Sequence, residues 1–448
     1  MSLSPVSAAR ALSALNPITA YGKVTGIVGL VAEGRGIKAP LGSLCHILPE
    51  RSGLGTEKEK GEGADAVPVE VVGFKNEATL FMPFGDLRGV EPGSLVRNSS
   101  RPPLMPVGPE MLGKAFDAFG VPLDSAVNVS LPELVPLYAD PPSPLSRPRI
   151  DSPLDVGVRS VNALLTLGKG QRIGIMAGSG VGKSTLMGMM ARYARADVNV
   201  IGLVGERGRE VREFMEKDLG PEGMARSTLV VATSDQSPLV RLRAAYAATA
   251  VAEYFRDRGL DVLFMMDSVT RFAMALREIG LAVGEPPTTK GYTPSVFTQL
   301  PRLLERSGQG PRGAITGIYT VLVDGDDFNE PVADTTRSIL DGHIVLTRDL
   351  ADEGHFPAID VLRSISRLRS DIVTPGAVEN GRIVISRLAA YKRVEDMINI
   401  GAYAPGSNPE IDKAISAYGP TRDFLRQDVA QSCSLEESFK LLGALAAL

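Results

Sequence analysis

Cysteine, histidine, net charge and long apolar runs are all scarce in this chain, and each scarcity removes a class of function. The two cysteines in 448 residues, Cys45 and Cys433, stand far apart and outside any metal-ligand spacing. A disulfide framework is therefore excluded, a reducing compartment fits, and both read as small buried apolar side chains. Three histidines, His46, His343 and His355, are too few and too scattered for a zinc site. A formal charge of -4 argues against a protein built to coat a nucleic-acid backbone. No apolar run reaches the length of a membrane span, and the N-terminus lacks the basic start, apolar stretch and cleavage site of a secretory leader. The expectation is a cytoplasmic protein whose membrane contact, if any, is peripheral.

What is present is ample core material, 44% hydrophobic against 22% charged, in a chain long enough for two or three domains. The first stretch is β-structure: Gly22 to Ala32, Val67 to Phe74 and Ala78 to Met82 are short, β-branched and broken by glycine. Thr56 to Asp65 (TEKEKGEGAD) is charged and glycine-rich, a solvated loop between them. Such strands close most naturally as a small barrel ending near residue 97. Tyr138 to Arg149 (YADPPSPLSRPR) is proline-rich and extended, a connection rather than an element. From residue 160 the pattern changes to near-continuous apolar runs separated by helical stretches: Ile173 to Met176, Val198 to Val204, Thr228 to Ala232, Val262 to Met266, Ile318 to Val323 and His343 to Leu346. Strands of that kind are buried on both faces and joined by helices, so they predict a parallel α/β sheet. Beyond Pro375 the chain turns helical. Ser434 to Glu437 (SLEE) has capping-box spacing ahead of the apolar tail Phe439 to Leu448. The short apolar segment Ala11 to Ile18 reads as a frayed terminus, with an amphipathic partner-binding or membrane segment as the alternative.

The chemistry is concentrated in Ala177 to Thr185, AGSGVGKST, between an apolar strand and the helical LMGMMARYA. A P-loop needs this context, because glycines let backbone N–H groups wrap phosphates and the helix N-terminus adds its positive end. Gly178, Ser179, Gly180, Val181 and Gly182 form the loop, Lys183 reaches the terminal phosphates, and Ser184 places its hydroxyl on Mg²⁺. Ala177 departs from the strict glycine of the pattern but is still small. Asp267 ends the strand VLFMMD at the sheet edge where ligands of open α/β folds bind, and can hold magnesium there, usually through water. Glu206, in GERGRE just after Val204, occupies the same edge and is the candidate general base or water-positioning group. Arg207, Arg209, Glu210 and Arg212 crowd that segment. In SISR, Arg367 is a candidate for an arginine supplied across a subunit boundary, worth about 10³ to 10⁵ in rate. Spacing alone would leave it a surface arginine.

Together these residues resemble the type III secretion ATPases, relatives of the catalytic subunits of rotary ATP synthases. The resemblance runs through AGSGVGKST, GERGREV (Gly205 to Val211), VATSDQSPL (Val231 to Leu239), MMDSVTRFAMALREIGLAVGEPP (Met265 to Pro287), KGYTPSVF (Lys290 to Phe297) and DGHIVL (Asp341 to Leu346). DQSP (Asp235 to Pro238) and GDDFNEP (Gly325 to Pro331) resemble the flagellar branch, with the injectisome branch second. The resemblance implies an α/β, RecA-like P-loop core at 98–375, between an N-terminal β-barrel at 1–97 and a C-terminal helical domain at 376–448. It implies hydrolysis of Mg-ATP coupled to chaperone release and export of flagellar proteins, by a homohexameric ring at the inner face of the cell membrane. Implied partners are a stator-like regulator, a central stalk protein, an export gate and cargo–chaperone complexes, with no nucleic acid. By the same resemblance Lys183, Ser184 and Thr185 hold phosphate and Mg²⁺, Glu206 is the catalytic carboxylate and Asp267 the magnesium residue. Arg207 and Arg271 line the γ-phosphate region, and Arg367 reaches the neighbour's nucleotide. Phe356, in HFPAID (His355 to Asp360), stands where an adenine-stacking ring is expected. A core phenylalanine is the alternative there.

Two other functions are open to such a chain. One is an inactive nucleotide-binding subunit, against which the carboxylate at Glu206 argues. The other is a hexameric RNA translocase, whose barrel should offer aromatic platforms and basic residues. Residues 20–97 contain few aromatics, chiefly Tyr21, Phe74, Phe81 and Phe84, among mixed charges.

Overall fold

The computed structural model describes residues 20–49, 66–99, 102–323, 327 and 330–448. The expected loop Thr56 to Asp65, the segment Ala11 to Ile18 and most of Gly325 to Pro331 lie outside the described residues. The described chain forms two compact units: residues up to Pro103 with Glu278–Pro286, and Leu104–Arg277 with Pro287–Leu448.

The first unit is a closed six-stranded antiparallel barrel. Its strands are β1 Tyr21–Val28, β2 Val31–Arg35, β3 Leu44–Leu48, β4 Val67–Lys75, β5 Ala78–Pro83 and β6 Leu95–Asn98, joined in the circular order β1-β2-β5-β4-β3-β6. The glycine-broken β stretch expected over Gly22 to Ala32 is two strands of a hairpin. Gly29 adopts φ +57 and Val28 pairs with Val31 across the turn, a backbone that glycine reaches without a Cβ penalty. Alternation fills the interior with Val24, Ala32, Cys45, Ile47, Val69, Val71, Phe81 and Val96. Gly34 is required beside Phe81, since a Cβ there would stand 2.9 Å from the ring.

The second unit is built on a mostly parallel sheet. From one edge the strands run Ile365–Ser366, Gly342–Leu346, Arg172–Ala177, Ala314–Leu322, Asp261–Asp267, Val198–Glu206, Ser227–Thr233 and Lys114–Phe116. All six apolar runs read from sequence are strands here. The two edge strands were not expected, because two or three residues are too short to show a period. Ile365–Ser366 runs antiparallel to its neighbour, the rest of that order being parallel. Helix Pro238–Arg256 lies so close on one face that a Cβ at Gly202 would come within 2.9 Å of the Ala248 methyl.

Three C-terminal helices, Pro375–Asn399, Pro409–Leu425 and Leu435–Ala446, belong to this same unit. Val384, Phe424, Leu425, Leu442 and Leu445 join the sheet's own core, alongside Val161 and Leu164 of helix Arg159–Leu164. The Arg159 guanidinium donates to the carbonyls of Phe424, Asp423 and Arg426, tying the two regions. Ser434 caps the last helix, accepting from the Glu437 N–H at 3.2 Å. Among the described residues no helix is long and apolar enough to cross a membrane.

Candidate active site

Strand Arg172–Ala177 ends between Leu322 and Leu346 of its two neighbours. Ala177 is 1% exposed there, so a small residue suits the position. The chain then turns through Gly180 (φ +79) and Gly182 (φ +90) into helix Lys183–Tyr193. Both glycines need the left-handed region. Around Gly180 there is open space where a side chain would be, and Ser179, Gly180 and Ser184 are exposed, whereas Val181 is buried beneath the loop. The first N–H groups of a helix have no intrahelical acceptor and are free to bind an anion at its N-terminus. The loop is thus a donor-lined cradle that fits a phosphate chain. Thr185 follows in the first turn, half-buried.

Opposite the cradle, the sheet order sets Thr320, Asp267 and Glu206 on three adjacent strands at their carboxyl ends. Asp267 is 4% exposed. Its Oδ1 accepts from the Thr320 hydroxyl at 2.7 Å and from Lys183 Nζ at 2.5 Å. The same ammonium stands 3.7 Å from Glu206 Oε1. One lysine therefore serves two carboxylates. Burial pushes the Glu206 carboxyl up to about 7, and the Asp267 charge pushes the same way while Lys183 opposes it.

Glu206 is turned toward Lys183 by a bulge. The pairing register with strand Ser227–Thr233 slips between Val204 and Glu206, around Gly205 at φ +75. A side chain at Gly205 would collide with Arg271, whose Cβ would be 2.9 Å away. Arg271, in the first turn of helix Val269–Ala282, has a buried Nε with no hydrogen-bond partner. An unanswered guanidinium donor on a side chain packed against Gly205, the residue before Glu206, fits an anionic ligand. Arg207 is not part of this packed group: it is 76% exposed and pairs with Glu210 at 3.2 Å.

Phe356 is 45% exposed, with its ring in van der Waals reach of Gly182. It is therefore a surface ring beside the P-loop and not a core residue. The Gln427 N–H donates to its carbonyl at 3.0 Å. Arg367 is elsewhere. It follows the edge strand that pairs with Gly342 and His343, at the end of the sheet away from the P-loop. Five residues of strand at about 3.3 Å each put it roughly 16 Å from its own chain's cradle.

Three contributors were not singled out from the sequence. Thr320 was hidden as one of two threonines within the otherwise apolar AITGIYTVL. Arg348, which donates to the Ser179 carbonyl of the loop at 3.2 Å, follows a strand at the same carboxyl edge that flagged Asp267. Gln427 gives no local signal, since all its hydrogen bonds but the one to the Gln431 carbonyl are made 71 to 270 residues distant in sequence.

A magnesium ion fits what remains. No group of three or more His, Cys, Asp or Glu side chains that could hold a metal ion occurs among the described residues. The ion would then rest on the Ser184 hydroxyl, on Asp267 through water, and on the phosphates.

The chain is similar to known proteins in both sequence and fold. Residues 157–366 match the ATP synthase alpha/beta family, nucleotide-binding domain, and residues 373–444 match the T3SS EscN ATPase C-terminal domain. The chain is 55% identical over 425 residues to the flagellum-specific ATP synthase of Bacillus subtilis, covering 95% of each. It is 48% identical to the type 3 secretion system ATPase of Xanthomonas euvesicatoria, covering 94% of this chain and 93% of that one. Among solved structures it resembles the assembled ATPase EscN of the enteropathogenic E. coli type III secretion system, with a TM-score of 0.88 and 44% identity over 95% of this chain and all of that one. EscN in complex with its central stalk EscO matches at a TM-score of 0.85 and 43% identity, with the same coverage.

Proposed function

The chain belongs to the ATP synthase α/β family, in the branch of flagellum-specific ATP synthases and type III secretion ATPases, and on that footing we propose that it hydrolyses Mg-ATP to drive the export of flagellar proteins. The observation that carries the catalytic part is Lys183 held between Asp267 and Glu206 at the mouth of a P-loop. The backbone donors of Gly178 to Gly182 and the helix N-terminus bind the triphosphate, with Ser184 and Thr185 beside it. Lys183 exchanges a carboxylate for the terminal phosphates, which releases Asp267 to its role at the metal. Magnesium, when bound, neutralises charge on the phosphoryl oxygens. Glu206, carrying a raised pKa, orients a water and takes its proton as the water oxygen bonds to the γ-phosphorus. The bond to the β-phosphate oxygen breaks and ADP leaves. Arg271 answers the growing charge, with Arg207 arriving from the exposed rim. The Phe356 ring stacks on adenine.

Arg367 is too far from its own cradle to help there, so it acts on the nucleotide of the next subunit. That requires a ring, and a homohexamer is the assembly we infer; the relative EscN is described as assembled. The regions 1–97, 98–375 and 376–448 divide the labour as barrel, nucleotide core and helical output. The helical output engages a central stalk, by analogy with EscN and EscO. A stator-like regulator, the export gate and cargo–chaperone complexes are the further partners, met at the inner face of the membrane. The injectisome reading is compatible with the same chemistry, but the 55% identity to a flagellar relative favours the flagellar one. The RNA-translocase reading loses its platform. Of the barrel aromatics only Tyr21 and Phe74 are strongly exposed, on β1 and β4, three strands apart in either direction around the barrel.

The test is a Lys183→Ala strain and its purified protein. ATPase activity should vanish and filament assembly should weaken greatly. Normal filaments would refute the export role, and retained turnover would refute the site.

A further inference from the structure

The segment carrying Arg367 is held by hydrogen bonds and hardly at all by packing. Ile365 is 48% exposed, and Leu368 borders a cavity of about 400 Å³ shared with Arg147, Arg172 and Asp341. The Arg367 guanidinium donates to the Arg337 carbonyl at 3.2 Å, and the backbone beneath it is fastened by Gln171, fully buried, whose Oε1 accepts from the Gly168 N–H at 2.8 Å. Its Nε2 donates to the Ser366 hydroxyl at 3.0 Å and to the Asp341 carbonyl at 3.2 Å. That carbonyl also accepts from the Arg367 N–H at 3.0 Å, and the Ser366 hydroxyl donates onward to the Thr166 carbonyl at 2.8 Å. The Asp341 carboxylate in turn accepts from the Arg172 N–H at 3.0 Å and from its guanidinium at 3.3 Å. Gly342, at φ +152, permits the close approach, because a Cβ there would stand 2.3 Å from the Ile365 carbonyl oxygen.

Gln171 and Arg172 introduce the strand Arg172–Ala177, whose other end is the P-loop. We propose that Gln171 and Asp341 are positioning residues for Arg367, fixing the arginine a subunit presents to its neighbour to the strand that carries its own P-loop. The proposal rests on the reading of Arg367 as acting across a subunit boundary. It goes further in assigning two residues that touch no nucleotide to the aim of that arginine. One stiff element then links a subunit's grip on its own triphosphate with the help it gives next door.

The informative variant is Gln171→Glu, which keeps the shape and the acceptor for Gly168 but turns an oxygen toward the Ser366 and Asp341 oxygens. Asp341→Asn is the second, removing the charge that clamps Arg172. In full-length protein each should lower kcat, by about 10²-fold for a misaimed group of this kind, with KM for ATP unchanged. The decisive readout is subunit mixing. Lys183→Ala subunits, inactive at their own site, still carry a well-aimed Arg367. Mixed with either variant, they should restore turnover above the sum of the separate activities, as they should with Arg367→Ala. Unchanged kcat in both variants would overturn the proposal. So would low kcat that mixing does not restore while Arg367→Ala is restored, since that marks a structural defect. If Arg367→Ala itself is not restored, the trans reading falls and the proposal with it.

Discussion

Lys183 and Asp267, 84 residues apart in the chain, meet at 2.5 Å with side chains only 12% and 5% exposed. The contact holds together the two ends of the catalytic apparatus before any nucleotide arrives. Glu206 stands 3.7 Å from the same ammonium, and burial pushes its carboxyl up to about 7.

Glu206 should therefore govern the pH dependence near neutrality. Burial lowers the pKa of all three histidines, His355 to about 4, so they are neutral there. For the nucleotide-free enzyme, kcat/KM should rise with pH through about 7 as Glu206 becomes the carboxylate that accepts a proton. A profile flat across that range would remove Glu206 from the role.

Stability should move the opposite way. The Glu206 carboxyl releases its proton near 4.5 in the unfolded chain and near 7 in the folded one. Between these values unfolding releases a proton, so the contribution present below the lower value is lost as pH rises through the upper. Glu206→Gln should accordingly raise the melting temperature of nucleotide-free protein above about pH 7, with the gain fading toward about pH 4. The same variant should lose about 10² to 10⁴ in kcat while still binding ATP. Equal melting curves at all pH values would contradict the burial of this charge.

Thr320→Val keeps the shape of a fully buried side chain and deletes the hydroxyl that holds Asp267. Losing an outer partner of a metal-binding carboxylate typically weakens metal binding by about 10- to 100-fold. A magnesium titration of ATPase activity should shift by that order, with activity recovered at saturating metal. No shift would mean that Asp267 is oriented without Thr320.

Phe356→Ala should weaken ATP by about the 1–3 kcal/mol that stacking of a base on an aromatic ring contributes. Inorganic tripolyphosphate, which has no base, should bind the variant and the parent alike. Phe356→Tyr should preserve ATP binding. Equal weakening toward both ligands would show that the ring shapes the P-loop through Gly182 and does not recognise adenine.

The P-loop, the strand-end Asp267 and Glu206 after Val204 were legible because each depends on a local pattern: glycines before a helix, or an acid closing an apolar run. The parallel sheet was legible for the same reason, its strands being too uniformly apolar to be half-exposed. The hairpin at Gly29 was missed because a single glycine in a β stretch marks a bulge as readily as a turn.

Sequence alone determined the nucleotide chemistry, since phosphate binding uses backbone donors and a lysine that lie within nine consecutive residues. The tertiary structure decided which groups share that lysine, that Phe356 faces out, and that Arg367 stands at the far end of the sheet. Those outcomes depend on strand order and on hydrogen bonds such as Gln171 to Ser366, made between residues 195 apart in the chain. No local periodicity encodes such distances, because they are set only when the whole sheet packs.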